Sequence, residues 1–234
     1  MRPTTTVGRA IPVLTAVAAA RWPRKRSIPR AVPAEIPIAM AIGIPAGTAL
    51  GMLRFRGERA AATAVNTGMA LPTVVVGLVV ALVLFRGGPL GSLNLIYTVR
   101  GMIIAQVLIA APLIAGITMA AIQALPAELP DQLRALGASR PQLIGRLWLE
   151  ARLPLLAAVM AGFGHAVSEV GAATMVGGNI HGQTQVLTTA IVEDVGKGNF
   201  RPALAYGALL LALAFAVNAV LTSVQQRGTA WAQA

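Results

Sequence analysis

Apolar residues in this chain gather into long uninterrupted runs instead of alternating with polar ones. Ile36–Leu53, Met69–Phe85, Gly101–Leu125, Leu153–Val176 and Pro202–Val224 are free of charge or nearly so. Each approaches or exceeds the roughly 20 apolar residues that cross the hydrocarbon core of a bilayer. Lipid offers no hydrogen-bond partner, so such runs must be helices that satisfy their own backbone. Pro45, Pro72 and Pro112 lie within or beside them, and membrane helices tolerate proline better than soluble ones do. The pattern predicts an all-α, polytopic membrane bundle with five transmembrane helices. Residues 36–226 make the membrane domain, 126–152 a hydrophilic excursion from it, and 227–234 a short tail.

Composition agrees and adds exclusions. Hydrophobic residues make up 56% of the chain and charged ones 12%, against about 25% charged in soluble domains. There is too little polar surface to cover a water-facing globule. A net charge of +11 raises nucleic acid as a partner, but aromatic side chains are only 4% and the basic residues sit in short loops. That distribution lacks the basic groove lined with stacking rings that single strands need. It fits instead the asymmetry of a membrane protein facing anionic headgroups. The chain has no cysteine, which excludes disulfide and thiolate chemistry.

Loop charges predict the topology. Arg54, Arg56 and Arg59 follow the first run, Arg134, Arg140, Arg146 and Arg152 follow the third, and Arg227 lies in the tail; the opposite loops hold only Arg86, Arg100, Lys197 and Arg201. The richer side is expected in the cytoplasm. This places 54–68, 126–152 and the C-terminus inside and, with five spans, the N-terminus outside. Residues 1–35 are an irregular basic segment with Arg2, Arg9, Arg21, Arg24, Lys25, Arg26 and Arg30, and no acid before Glu35. Its apolar run Ala10–Ala20 is too short to span. Three readings stay open for it: a signal-peptide core ending at Ala18-Ala19-Ala20, a marginal sixth span, or an irregular stretch.

Within the first run, Gly43, Gly47 and Gly51 recur every four residues. Small residues at that spacing share one helical face and let another backbone approach closely. Packing inside one subunit is the expected use, ahead of a dimer contact. Gln106, Gln123 and Asn218 are expected to hydrogen-bond between helices.

The stretch 126–152 carries the clearest local signals. Pro130 suits a helix start and Asp131 its first turn, where the helix dipole favours an acid. Leu133 and Leu136 form an apolar edge, and Gly137 is placed to end the helix in a left-handed conformation. After Pro141 a second short helix is predicted over Leu143–Glu150. A helix–Gly–helix element of this kind suits docking into a groove on a partner.

Asp131-Gln-Leu-x-x-x-Gly137 with Leu147-x-Leu149 resembles the EAA loop of ABC importer permeases. Asp131 replaces the family's Glu, Gln132 and Leu133 its alanines, Leu147 its Ile and Glu150 its Pro, while Gly137, its spacing and Leu149 match. A second stretch, Ser168-Glu-Val-Gly through Gly178-Asn-Ile-x-Gly182-x-Thr184, is similar to the molybdate and tungstate permeases. The Ser-Glu-Val-Gly form, Val186-Leu-Thr-Thr-Ala-Ile191 and Lys197-Gly-Asn-Phe200 look most like the tungstate group. The resemblance runs from about Ile42 to Gln226 and does not include the first 35 residues.

The resemblance implies a permease subunit of the plasma (inner) membrane, forming the translocation path of an ATP-driven oxyanion importer. It implies a homodimer served by an extracytoplasmic oxyanion-binding protein and by separate ATP-binding cassette ATPase subunits, which hold the ATP and Mg. This chain is then a transport subunit and not an enzyme. Asp131, Leu133, Leu136, Gly137 and Ala138 would couple to the ATPase. Ser168, Glu169, Asn179, Thr188 and Thr189 are candidates for permeation or gating. His165 and Glu169, four apart, are expected to share a helical face as an intramembrane pair, with backbone donors near Gly171 as the alternative partner of the acid.

Gly177-Gly178 and Gly196-Lys197-Gly198 lack the spacing of a nucleotide-cradling loop, and His165 and His181 lack that of a zinc site, so neither a nucleotide nor a metal is expected on this chain. The alternatives are a molybdate or sulfate permease and a secondary transporter working alone. A membrane enzyme finds no nucleophile–base pair to support it.

Overall fold

The computed structural model describes residues 35–53 and 55–230, and of residues 227–230 the backbone alone. The basic segment before Glu35, with its signal-peptide, sixth-span and irregular readings, and Arg54 lie outside them. Among the described residues the chain forms ten α-helices: α1 (Ile36–Met52), α2 (Glu58–Ala70), α3 (Thr73–Leu84), α4 (Val99–Gln123), α5 (Leu129–Ala135), α6 (Arg140–Glu150), α7 (Arg152–Ser168), α8 (Gly171–Gly177), α9 (Leu187–Gly196) and α10 (Phe200–Ala230).

Helix α4 is the axis of the bundle. Thr98 caps its start by accepting a hydrogen bond from Gly101 N at 3.2 Å, leaving fewer orphan donors in its first turn. Ala110, Ile114, Ala115 and Thr118 along it are almost wholly buried. Helix α1 lies flush against it through the glycine stripe. A Cβ on Gly43 would fall 2.9 Å from Ala111 O, one on Gly47 2.3 Å from Ala115 O, and one on Gly51 2.9 Å from Ile122 Cβ. None of these is a permissible separation, so only glycine allows this approach. The four-residue stripe therefore packs inside the subunit.

Two of the apolar runs are not straight. The run 69–85 breaks at Leu71-Pro72, and α2 and α3 meet at 103°. Proline lacks the donor that would continue the helix and pushes the preceding residue into extended backbone, which Leu71 adopts at φ −64° and ψ 134°. The run 153–176 breaks after Ser168, where Glu169 is extended at φ −69° and ψ 130°. Here no proline intervenes. The Glu169 carboxylate accepts from Ala172 N at 2.8 Å, offering the backbone a capped start for α8 in place of continuation. Helices α6 and α7 also meet at an angle, 75°.

Helices α4 and α10 are each long and apolar enough to cross a bilayer alone, and the α2–α3 and α6–α7 pairs qualify as bent units. Helix α1, with 17 residues, is about 25 Å long at 1.5 Å per residue. By length and composition up to four spans therefore qualify, two of them bent, with α1 a shorter apolar helix beside them, against the five expected. Leu204, Leu211 and Phe215 of α10 are 67%, 73% and 78% exposed, a surface that belongs against lipid or another chain. Gln106, Gln123 and Asn218 make no interhelical hydrogen bond among the described residues.

Candidate functional site

Functional features collect along α4, at its Gln123 end and beside its middle. At its Gln123 end, Leu143, Leu147 and Ala151 pack with Ala121 and Ile122 of α4, with Met52, Leu129, Leu133 and Leu155 around them. Leu143 and Leu147 are four apart on α6, so they form one buried stripe. The opposite face stays open. With α5 it walls a groove of about 580 Å³ lined by Leu133, Leu136, Gly137, Ala138, Gln142, Gly145, Arg146 and Leu149. Leu136 is 83% exposed there and Leu149 59%.

The local chemistry of this element is explicit. Asp131 stands in the first turn of α5 and pairs with Arg134 at 2.8 Å, outside the groove lining. Gly137 takes φ +82°. Gly137 N donates to Arg134 O at 2.9 Å and Ala138 N to Leu133 O at 3.0 Å, the paired bonds of a Schellman stop. Helix α6 begins at Arg140, earlier than the Leu143 expected from sequence. The reason is a start signal there: Ser139 N donates to Gln142 Oε1 at 2.8 Å, with Pro141 in the first turn.

Beside the middle of α4, where Gly68 meets Pro112 and Met69 meets Gly116, the two interruptions meet. A Cβ on Gly171 would lie 2.6 Å from Cγ2 of Val74, and one on Gly77 2.6 Å from Cα of Ala172. Helix α3 therefore lies directly on α8, and both rest on α4 through Val80, Leu84, Ala105, Ile109, Ala172 and Val176. Thr188 Oγ1 donates to Glu169 O at 2.8 Å, so the carbonyl freed by the break is taken up by α9. Glu169 and Thr188, named together from the sequence, are brought together here.

The other candidates separate. No hydrogen bond or ion pair joins His165 to Glu169. The shared helical face expected of them does not form, because the chain leaves the helix at Glu169. Ser168 Oγ donates to His165 O at 3.0 Å, and Thr189 Oγ1 to Val186 O at 3.0 Å. The hydroxyl protons of Ser168, Thr188 and Thr189 are thus all engaged by backbone carbonyls in this conformation.

Asn179 belongs to a different network, which the sequence did not reveal. Its amide donates to Glu193 Oε2 at 2.7 Å, as does Gln185 Nε2 at 2.7 Å. Lys197 Nζ holds the other oxygen of Glu193. The Lys197 ammonium, then the Asn179 amide, keep the Glu193 carboxyl below the usual carboxylate range against the opposing effect of burial. The Gly178–Thr184 motif folds as the frame of this loop. Gly178, Asn179 and Gly182 all have positive φ, which glycine and asparagine adopt most readily. Thr184 Oγ1 accepts from Ile180 N at 2.9 Å and donates to Gly177 O at 2.6 Å. Glu193 and Gln185, eight apart in sequence, carry no pattern that would have paired them.

Residues 43–229 match the family of binding-protein-dependent transport system inner membrane components. A probable anion ABC transporter permease protein of Haloferax volcanii is 40% identical over 192 residues, covering 80% of this chain and 83% of its own. The tungstate uptake system permease protein TupB of Peptoclostridium acidaminophilum is 41% identical over 189 residues, covering 81% and 83%. Among solved structures, an inward-facing form of the MetNI methionine ABC transporter matches with TM-score 0.64 at 19% identity, covering 84% of this chain and 92% of that one. The last likeness concerns the fold.

Proposed function

We propose, for a chain that belongs to the family of binding-protein-dependent transport system inner membrane components, that its cargo is tungstate and that two copies line the path. The chain is a multi-pass inner-membrane permease of an ABC importer, a transport component that works with an ATPase and a binding protein. Tungstate is supported by the 41% identity to a tungstate uptake permease.

The observation that carries the path is the contact between the two helix interruptions at Val74 and Gly171. Irregular backbone at membrane depth is tolerated only where protein buries it or where it lines a wet cavity. Moving a bare dianion through hydrocarbon costs tens of kcal/mol, and backbone dipoles freed at such breaks lower that cost. Glu169 is not a ligand in this reading, because a carboxylate would repel the cargo; it holds the break in shape. A second copy covers α2, which has no buried residue, and the exposed Val74, Val75, Leu78 and Val79 of α3.

The α5–α6 groove, with Leu136 and Leu149 open to it, docks the ATPase on the cytoplasmic side, where the C-terminus also lies. The Glu193 loop then faces outward, toward the binding protein. ATP and Mg are held by the ATPase. The test is uptake by the reconstituted complex with its binding protein. Tungstate is expected to exceed molybdate, and both to exceed sulfate greatly, with most discrimination in the binding protein. Sulfate transport equal to tungstate by the matched complex sinks the assignment of cargo.

A further inference from the structure

Trp148 and Thr48 are separated by 100 residues of chain, yet Trp148 Nε1 donates to Thr48 Oγ1 at 2.9 Å. Trp148 stands on α6, in the element with the open groove, and Thr48 stands on α1. Thr48 is 3% exposed and donates its own proton to Ile44 O at 2.7 Å, so its oxygen is fixed and aimed at the indole.

The placement of this bond distinguishes it from the rest of the α6 contact. Leu143, Leu147 and Ala151 hold α6 on the end of α4 by apolar packing, which is non-directional and tolerates rotation of α6 about its axis. The indole hydrogen bond is directional and fixes that rotation. Its acceptor adjoins Gly47, whose contact with Ala115 O leaves no clearance. A close-packed interface of that kind transmits displacement instead of absorbing it. From α4 the contacts continue to the interruptions: Pro112 and Gly116 meet Gly68 and Met69 at the end of α2, and Ile114 meets Gly162 of α7.

We infer that the Trp148–Thr48 hydrogen bond is the positioning contact through which movement of α6 is passed to α1 and α4 and so to the broken helices. This rests on the reading of α5–α6 as the ATPase-docking element. The bond sets how faithfully hydrolysis is converted to transport; the apolar contacts set whether α6 is in place at all.

The experiment compares Trp148→Phe, Thr48→Val, their double variant and Thr48→Ser in the full complex with ATPase and loaded binding protein. It records copurification of the ATPase, stimulated ATP hydrolysis, and tungstate uptake per ATP. The expected result is normal copurification and hydrolysis, with uptake per ATP reduced roughly threefold or more in Phe and Val, the scale seen for residues along coupled networks. The double variant should be no worse than either single one, and Thr48→Ser, which keeps the hydroxyl, should match the parent. Unchanged uptake per ATP in assembled Thr48→Val overturns the inference. So does failure of both Phe and Val to assemble, which would make the bond a folding contact. A parent complex whose hydrolysis ignores loaded binding protein overturns the docking reading itself, and this inference with it.

Discussion

Glu169 Oε1 lies 2.8 Å from the amide nitrogen of Ala172, bridging the gap between α7 and α8. The same residue gives its carbonyl oxygen to Thr188 at 2.8 Å. One buried side chain thereby starts a helix while its backbone ties that break to α9. The bond needs an acceptor, not a charge.

Glu169→Gln keeps an acceptor oxygen at nearly the same place, so assembly and uptake should survive. Glu169→Ala removes the cap, a loss of about 0.5–2 kcal/mol, and should lower thermal stability in detergent and impair assembly. Melting curves and transport assays on both variants check this. Loss of uptake in a well-assembled Gln variant would mean that the charge itself takes part in the cycle.

Gly137 has φ +82°, and a Cβ there would meet no atom within 4 Å. The penalty of substitution is therefore conformational only, about 1–2 kcal/mol for a residue forced into the left-handed region. Gly137→Val should reduce copurification with the ATPase and ATP-driven uptake while the membrane bundle still assembles. Gly137→Asn should recover much of both, since asparagine enters that region more readily. Full uptake with valine at this position would remove the coupling role.

Gly47 is the tightest point of the α1–α4 contact, with a notional Cβ 2.3 Å from Ala115 O. That oxygen is backbone and cannot rotate away. Gly47→Ala should destabilise the purified protein by about 1–3 kcal/mol, as overpacking does. Gly207→Ala, where nothing lies within 4 Å, should stay within about 1 kcal/mol of the parent. Equal melting temperatures for the two variants would refute the clearance-free packing.

Glu193 is held below the usual carboxylate range chiefly by Lys197. A carboxyl depressed in the folded state stabilises it fully above its unfolded pKa, about 4.3, and that contribution is lost as pH falls through the lower folded value. Amide exchange across 178–199, corrected for its intrinsic pH dependence, should therefore stay slow near neutrality and quicken below about pH 4. In Glu193→Gln exchange should be faster at neutral pH and lack that acid step. An unchanged acid step in the Gln variant would assign it to another group.

The sequence by itself determined the membrane class, the number of apolar runs and the Gly137 stop between α5 and α6. Those properties are local: length of a charge-free run, glycine in a left-handed stop. The four-residue glycine stripe of α1 also announced a close helix contact, though not that α4 would supply it. Only the tertiary structure decided the two interruptions and the pairings across them. Pro72, read from the sequence as tolerated within a membrane helix, breaks its run. Between the two partners the sequence offered Glu169, His165 or backbone donors near Gly171, the fold chose the donor at Ala172 N. A side chain that caps can compete with the helix it sits in, and packing on α3 and α9 decides the outcome. The same holds for Asn179, Gln185 and Glu193, and for Trp148 with Thr48. Their partners are chosen by how whole helices pack, an arrangement that no short window of sequence encodes.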